Sequence, residues 1–360
     1  MKILLCTLEY PPQIGGVASY YANLKKNWPE PANFEVLDNA QGQLLKERGT
    51  WSWLKSFGAI YKKWQSMKAE LVLIGQVLPL GTVAYCLSFL PKFQYGIFFH
   101  GLDFSLAIAS TRKRFITKLI LNRARLIICA NSEVKKLLLD FVLINKEKII
   151  LLNPGADLGF VDKGIQESLI KKYNLAGKKI IFSLGRLVRR KGFDQVIKAL
   201  DKLDFENCLY LLAGQGEDRE YLYDLARQSS KKDQILFLEN LSEEEKWSCL
   251  SLCDIFVMPS RNIKGDFEGF GIVYLEANLL EKPVIAGDSG GVRDAVVNNI
   301  NGLLVDSDNI AEIASAINLL INDENLLKDL GRKGKERVLR DFNWPGQAQK
   351  LFIKIKDELN

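Results

Sequence analysis

Short apolar runs bounded by Gly, Pro, Asn or Asp alternate along the chain with longer stretches in which apolar residues recur every three or four positions. The first kind suits a strand buried on both faces and the second an amphipathic helix, so their alternation predicts parallel sheets joined by crossover helices. Runs in the first half predict strands at residues 2–8, 34–38, 71–76, 95–100, 125–131 and 149–155. Those in the second half predict strands at 178–185, 209–214, 235–240, 255–260, 283–288 and 302–305. Two sets of six imply two doubly wound domains rather than one large sheet. Residues 153–164 carry Pro154 and three glycines with little periodicity, which places the boundary there: a first domain at 1–160 and a second at 161–345. An amphipathic segment at 323–339 leads to Trp344-Pro345, where the proline is expected to bend the chain into a last helix at 346–359. Ligands of open parallel sheets sit beyond the carboxyl ends of the strands, so two such domains facing each other predict a cleft.

Composition narrows the picture. With 48% apolar and 26% charged residues in 360, the chain reads as a soluble globular protein of two domains. Cys6, Cys86, Cys129, Cys208, Cys249 and Cys253 are scattered through apolar runs without metal-ligand spacing, and read as small buried thiols in a reducing compartment. Cys249 and Cys253 lie four apart, but the chain has one histidine and no second cysteine pair nearby, which argues against zinc. The apolar run at the N-terminus ends at Tyr10-Pro11, too short for a signal peptide, and a cytoplasmic protein is expected. Residues 71–90 imitate a membrane span, but Gly75, Gln76, Pro79 and Gly81 punctuate them, so a strand, turn and helix are expected.

The net charge of +6 is unevenly spread: residues 1–165 hold 21 Lys and Arg against 12 Asp and Glu, the remainder 28 against 31. Arg112, Lys113, Arg114, Lys118, Arg123 and Arg125 cluster. Lys46, Arg48, Lys55, Lys62, Lys63 and Lys68 alternate with Trp51, Trp53, Phe57, Tyr61 and Trp64. Such a mix suits the inner face of an anionic membrane, with the protein peripheral on it; a solvated helix face whose aromatics enter the core explains it equally. No nucleic-acid-binding motif accompanies the charge, and no nucleic-acid partner is expected.

The strongest chemical constellation is Glu268-Gly-Phe-Gly-Ile-Val-Tyr-Leu-Glu276, just after the predicted strand at 255–260. Gly269 and Gly271 permit close backbone approach, and a helix beginning near Phe270 would offer free N–H groups to a diphosphate. Glu276, four residues after Ile272, could accept hydrogen bonds from ribose hydroxyls; alternatively both glutamates merely favour the helix dipole. The strand at 178–185 leads into Arg186-Leu-Val-Arg-Arg-Lys191-Gly192. There Arg186 offers a planar fork for phosphate and Lys191 a point charge, an electrophilic pair in place of a metal, while Arg189 and Arg190 read as spectators. A solvated turn is the plain alternative. Gly15-Gly16 follows the first strand and could touch the same diphosphate through backbone amides, although a lone pair of glycines is a weak signal. Gly214-Gln-Gly216 lacks a third glycine, since Arg219 stands there, so no dinucleotide fingerprint is met. His100 ends a predicted strand beside Gly101 and Asp103, where side chains face the ligand side; a structural histidine is the alternative. A single histidine with no adjacent serine-elbow motif argues against Ser/His/Asp hydrolase chemistry. Asp306-Ser307-Asp308 reads as a helix cap, with Glu312 in the first turn, rather than as a metal-binding pair.

Together, the Gly15-Gly16 loop, His100-Gly101, Gly185-Arg186, Lys191-Gly192 and the stretch from Glu268 to Glu276 resemble family-4 retaining glycosyltransferases. The resemblance is strongest over residues 179–305 and weak over 37–94. It implies a GT-B fold of two Rossmann-like domains, catalysis without metal or cofactor, and a final helix at about 346–360 that returns to the first domain. It further implies that Arg186 and Lys191 bind the donor diphosphate, Gly16 contributes an amide, and Glu276 holds the ribose. Gly269, Phe270, Gly271 and Ile272 would serve the donor mainly through backbone, Glu268 and His100 would touch the transferred sugar, and Leu241 would stand near the base. Glu239 and Asn240 depart from the glycines expected beside Leu241, which leaves the base open. The motif around Glu268, with Val284 to Gly291, looks like mannosyltransferases acting on phosphatidylinositol mannosides. GDP-mannose therefore ranks first as donor and a UDP-hexose second, with a lipid-linked or glycan acceptor. A UDP-sugar 2-epimerase or a silent sugar-nucleotide-binding protein are the alternatives.

Overall fold

The computed structural model describes residues 1–13, 15–45, 52–205 and 207–359. Lys46, Arg48 and Trp51 of the basic and aromatic run lie outside the described residues. All twelve apolar runs are strands: β1 Ile3–Cys6, β2 Phe34–Leu37, β3 Leu71–Ile74, β4 Tyr95–Phe99, β5 Leu126–Cys129, β6 Ile149–Leu151, β7 Lys179–Leu184, β8 Cys208–Ala213, β9 Ile235–Leu238, β10 Ile255–Met258, β11 Val284–Gly287 and β12 Gly302–Val305. Most of them end short of the runs that predicted them, where Gly, Asn and Pro residues turn the chain away, while β12 spans its run and β8 begins one residue before its own.

The strands form two six-stranded sheets, ordered β2-β1-β3-β4-β5-β6 and β12-β11-β10-β7-β8-β9, and every pairing is parallel. Strands β1, β3, β5, β10 and β11 are buried at every residue, which is why they read as continuous apolar runs rather than alternating ones. Strand order reverses between β1 and β3 in one sheet and between β7 and β10 in the other. The loops leaving these strands are where a doubly wound sheet exposes backbone to a ligand.

The chain divides into two compact units, Met1–Gly155 with Trp344–Asn360, and Ala156–Asn343. The last helix, Trp344–Leu359, belongs to the first. It starts two residues earlier than expected, because Pro345 falls in its first turn, where no intrahelical N–H is needed. Trp344 is buried in the first core and meets Tyr20 edge-on at 5.3 Å. The apolar stretch at 71–90 is β3, a short helical turn at Val77–Gly81 and the helix Thr82–Leu87. Among the described residues no helix is long and apolar enough to cross a membrane. Five cysteines are buried as expected, but Cys86 is exposed, on the outer side of Thr82–Leu87.

Trp344→Ala is expected to lower the unfolding free energy by about 3–5 kcal/mol, read from urea denaturation. A loss below about 1 kcal/mol would show that the last helix contributes little to the first core.

Candidate functional site

In the second unit the loops after β7 and β10 meet at the reversal of strand order. After β7 the chain passes Arg186 and makes one tight turn at Arg189–Lys191 before the helix Phe193–Leu200. Gly192 closes that turn with φ +74°, and a Cβ there would lie 2.1 Å from the Pro259 carbonyl oxygen, so only glycine lets the turn lie against the end of β10. Arg261 fixes it from the other side. Its amide donates to the Arg190 carbonyl at 2.8 Å and its Nε to the Arg189 carbonyl at 3.1 Å. Its Nη2 bonds both oxygens of the buried Asp194, at 3.0 and 2.9 Å.

The turn delivers two cations to one carboxylate oxygen. Lys191 Nζ lies 2.7 Å and Arg190 Nη1 2.6 Å from Glu268 Oε2, all three side chains being 11–14% exposed. Arg190 Nε also lies 3.1 Å from Asp266. Arg190 is thus a partner of Glu268 and not a spectator: the turn points it inward, while Arg189 turns out to Asp218 and onto the Tyr221 ring. Burial pulls the Glu268 carboxyl up, but Lys191 and Arg190 more than offset it and hold it below the usual range. Lys191 also reaches back over the end of β7, since a Cβ on Gly185 would stand 3.6 Å from its Nζ. Arg186 is exposed and makes no ion pair among the described residues.

Past Glu268, Gly271 takes φ +81°, and a Cβ there would sit 2.3 Å from the Tyr274 ring. The helix therefore begins at Ile272, not near Phe270, and runs to Leu279, with Gly271 as its N-cap. Gly269 lies in the loop between Glu268 and that cap. The Phe270 ring is buried 5.6 Å from Phe342, leaving backbone as what this stretch presents. Gly291 N–H donates to the Glu268 carbonyl at 3.0 Å, so the glycines after β11 hold this loop. Glu276 accepts from Lys246 at 3.0 Å; burial pulls that ammonium down, and Glu276 and Glu243 more than offset it. Leu241 packs half-buried on the second core, and Glu239 pairs with Arg219 and Tyr223. Gly214 and Gly216 serve packing: a Cβ on either would strike the backbone of Gly185 or Leu187. The cap predicted in Asp306-Ser307-Asp308 is Asn309, which accepts from the Glu312 amide.

Gly16 and His100 belong to the first unit. Gly16 opens the helix Gly16–Lys26, and a Cβ on Gly15 or Gly16 would meet nothing within 4 Å, so packing does not demand glycine there; Ile14 of the same loop lies outside the described residues. That helix brings Tyr21 to His100, 2.7 Å from Oη to Nε2, and Tyr20 edge-on to the imidazole at 5.0 Å. Burial lowers the His100 imidazole to about 4. Asp103 Oδ1 accepts from the His100 and Gly101 amides, while Oδ2 is buried without a partner; burial raises this carboxyl to about 6 against those amide bonds. Of the aromatic run, Trp53, Phe57 and Trp64 are half-buried on the helix face and Tyr61 is exposed, with Trp64 donating to the Ala69 carbonyl. No cluster of His, Cys, Asp and Glu able to hold a metal exists among the described residues.

Tyr21, Arg190, Arg261 and Lys246 carried no local signal in the sequence. His100 and Asp103 predict opposite pH slopes. Unfolded histidine holds a proton up to about 6.5 that the folded one sheds above about 4, so His100 makes stability rise with pH across that window. Asp103 keeps a proton in the folded state up to about 6 that the unfolded chain has lost above 3.8, so it makes stability fall. Asp103→Asn is therefore expected to steepen the rise in thermal stability between pH 4 and 6, and His100→Asn to flatten or reverse it; equal slopes in both variants would contradict these environments.

Residues 165–337 match the family model described as glycosyl transferases group 1. Over 214 residues the chain is 34% identical to the GDP-mannose-dependent alpha-(1-6)-phosphatidylinositol monomannoside mannosyltransferase of Mycobacterium tuberculosis, covering 57% of this chain and 56% of that one. An uncharacterized glycosyltransferase of Methanocaldococcus jannaschii is 28% identical over 99% of both chains. Anabaena HepE, solved in complex with UDP and with UDP-glucose, superposes with a TM-score of 0.83 in the UDP complex, at 19% identity, over 99% of this chain and all of that one. The chain has the GT-B fold of two Rossmann-like units, and its residues 165–337 match the domain described as glycosyl transferases group 1.

Proposed function

We propose that the chain transfers a hexosyl group from a nucleoside diphosphate sugar to an acceptor hydroxyl, retaining the anomeric configuration. The observation that carries this reading is the Glu268 carboxylate held by Lys191 and Arg190 ahead of the helix Ile272–Leu279, inside the domain that the family match covers. When the anomeric C–O bond breaks, its electron pair goes to the diphosphate. Arg186, Lys191 and the free amides at the start of that helix would meet the growing charge, so that no metal is needed. The acceptor oxygen attacks on the face the phosphate leaves, and its proton passes to a phosphate oxygen. Glu268 would stabilise positive charge on the sugar. With two cations already on Oε2 it is a weak nucleophile, which favours this route over a covalent intermediate.

Glu276 would hold the ribose, and the backbone from Gly269 to Ile272 the phosphates and sugar. GDP-mannose ranks first as donor, supported by what the M. tuberculosis relative is named for; a UDP-hexose is second, supported by the nucleotides bound to HepE. A lipid-linked or glycan acceptor is supported by the name of the same relative. Peripheral attachment to an anionic membrane is supported in the first unit by exposed Leu106, Phe115 and Leu143 and by exposed Arg112, Lys113, Arg114 and Lys118, of which Arg114 and Lys118 each lie 5.3 Å from the Phe141 ring centre.

Phosphatase-coupled release of nucleoside diphosphate, surveyed over GDP-mannose, UDP-glucose, UDP-N-acetylglucosamine and UDP-galactose, tests the reaction. Turnover of one donor, unchanged by EDTA and reduced about 100-fold or more in kcat/KM by Arg186→Ala or Lys191→Ala, is expected. Turnover of none, or full activity without Arg186, would refute it. Sedimentation with phosphatidylglycerol vesicles but not with phosphatidylcholine ones, abolished by Arg114→Glu with Lys118→Glu, is expected at low salt; equal recovery from both lipids would dispose of the membrane reading.

A further inference from the structure

The Tyr21 hydroxyl stands between two groups, and its single proton can satisfy only one of them. Its oxygen lies 2.9 Å from the Gly75 carbonyl oxygen and 2.7 Å from His100 Nε2. A carbonyl can only accept, so the phenolic proton must point at Gly75, or two acceptors would face each other in a buried site. The phenolic oxygen then has lone pairs to offer His100, and Nε2 must carry the hydrogen.

We propose that Tyr21 is a positioning residue that locks the neutral His100 imidazole as the Nε2–H tautomer, so that Nδ1 acts only as a hydrogen-bond acceptor and selects a hydroxyl group on the ligand. Nδ1 has no partner among the described residues, and aromatic rings pack around the imidazole. Tyr20 and Tyr21 hold it edge-on at 5.0 and 5.2 Å, and Phe98 lies parallel to it at 6.0 Å. Tyr20 is fixed in turn by its own hydroxyl, which donates to the Leu152 carbonyl at 2.9 Å. The ionisable groups acting on the Tyr21 hydroxyl are Asp103, Tyr20 and Glu9, none of them a cation. Among the described residues, the Tyr21 hydroxyl is the one hydrogen-bond partner of Nε2.

A histidine so locked accepts from a sugar hydroxyl but cannot protonate a leaving group, so it contributes selection and orientation rather than acid catalysis. The identity of the ligand as a sugar rests on the transferase reading above; the tautomer does not.

Because His100 is the only histidine in the chain, 15N-histidine labelling gives one residue's signals. At pH 7.5, two-bond 15N–1H correlations are expected to show a protonated Nε2 and an unprotonated Nδ1. Adding GDP-mannose or UDP-glucose, whichever turns over, is expected to shift Nδ1 upfield and leave Nε2 in place. Tyr21→Phe keeps the ring and removes the lock: the Nδ1–H form becomes populated and kcat/KM falls about tenfold, the worth of one hydrogen bond. A wild-type spectrum with the proton on Nδ1 overturns the proposal, as does a Tyr21→Phe protein with unchanged tautomer pattern and unchanged kcat/KM. The expected pattern in a protein that turns over no donor supports the lock and counts against the transferase reading instead.

Discussion

A carboxylate taken out of water must be neutralised or it will not stay ionised, and the second unit is arranged around meeting that requirement at Glu268. Removing one partner from such a buried pair costs about 3–5 kcal/mol. Here two cations share one oxygen, so the group carries more positive charge than it needs for internal balance. Asp266 takes part of the excess through Arg190, and it is an exposed residue that water screens. Lys191 pairs with Glu268 alone, and Arg186 makes no ion pair among the described residues.

The geometry behind this is supplied by loops from different strands. Arg261, from the loop after β10, ties the backbone of Arg189 and Arg190 and is itself locked on Asp194. Glycines at 192 and 271 set the two turns, and Gly291 holds the Glu268 carbonyl from the loop after β11. The cations and the carboxylate thus meet through backbone turns at the point where strand order reverses.

The strands were legible because parallel sheets bury both faces and so write themselves as continuous apolar runs; the cap residues were less so, since Asn309 and Asp308 are equally plausible caps by type. Lys191 and Glu268 stood out as residue types in glycine-rich loops, but the direction of Arg190 was hidden. In Arg189-Arg190-Lys191 nothing local says which side chain faces inward; Gly192 against Pro259 decides it, and that contact joins segments 67 residues apart in sequence. The Tyr21–His100 bond spans 79 residues and left no trace in spacing or composition. What periodicity encodes is burial; what it leaves out is which polar atoms meet once burial has been achieved.

On the proposed function, the start of the helix Ile272–Leu279 would neutralise a nucleoside diphosphate together with Lys191 and Arg186. A crystal structure of the protein with GDP tests it most directly. Phosphate oxygens within hydrogen-bond distance of Lys191, Arg186 and the backbone amides beginning at Gly271, with the ribose on Glu276, are the expected result. GDP bound elsewhere, with Lys191 touching only Glu268, would contradict it.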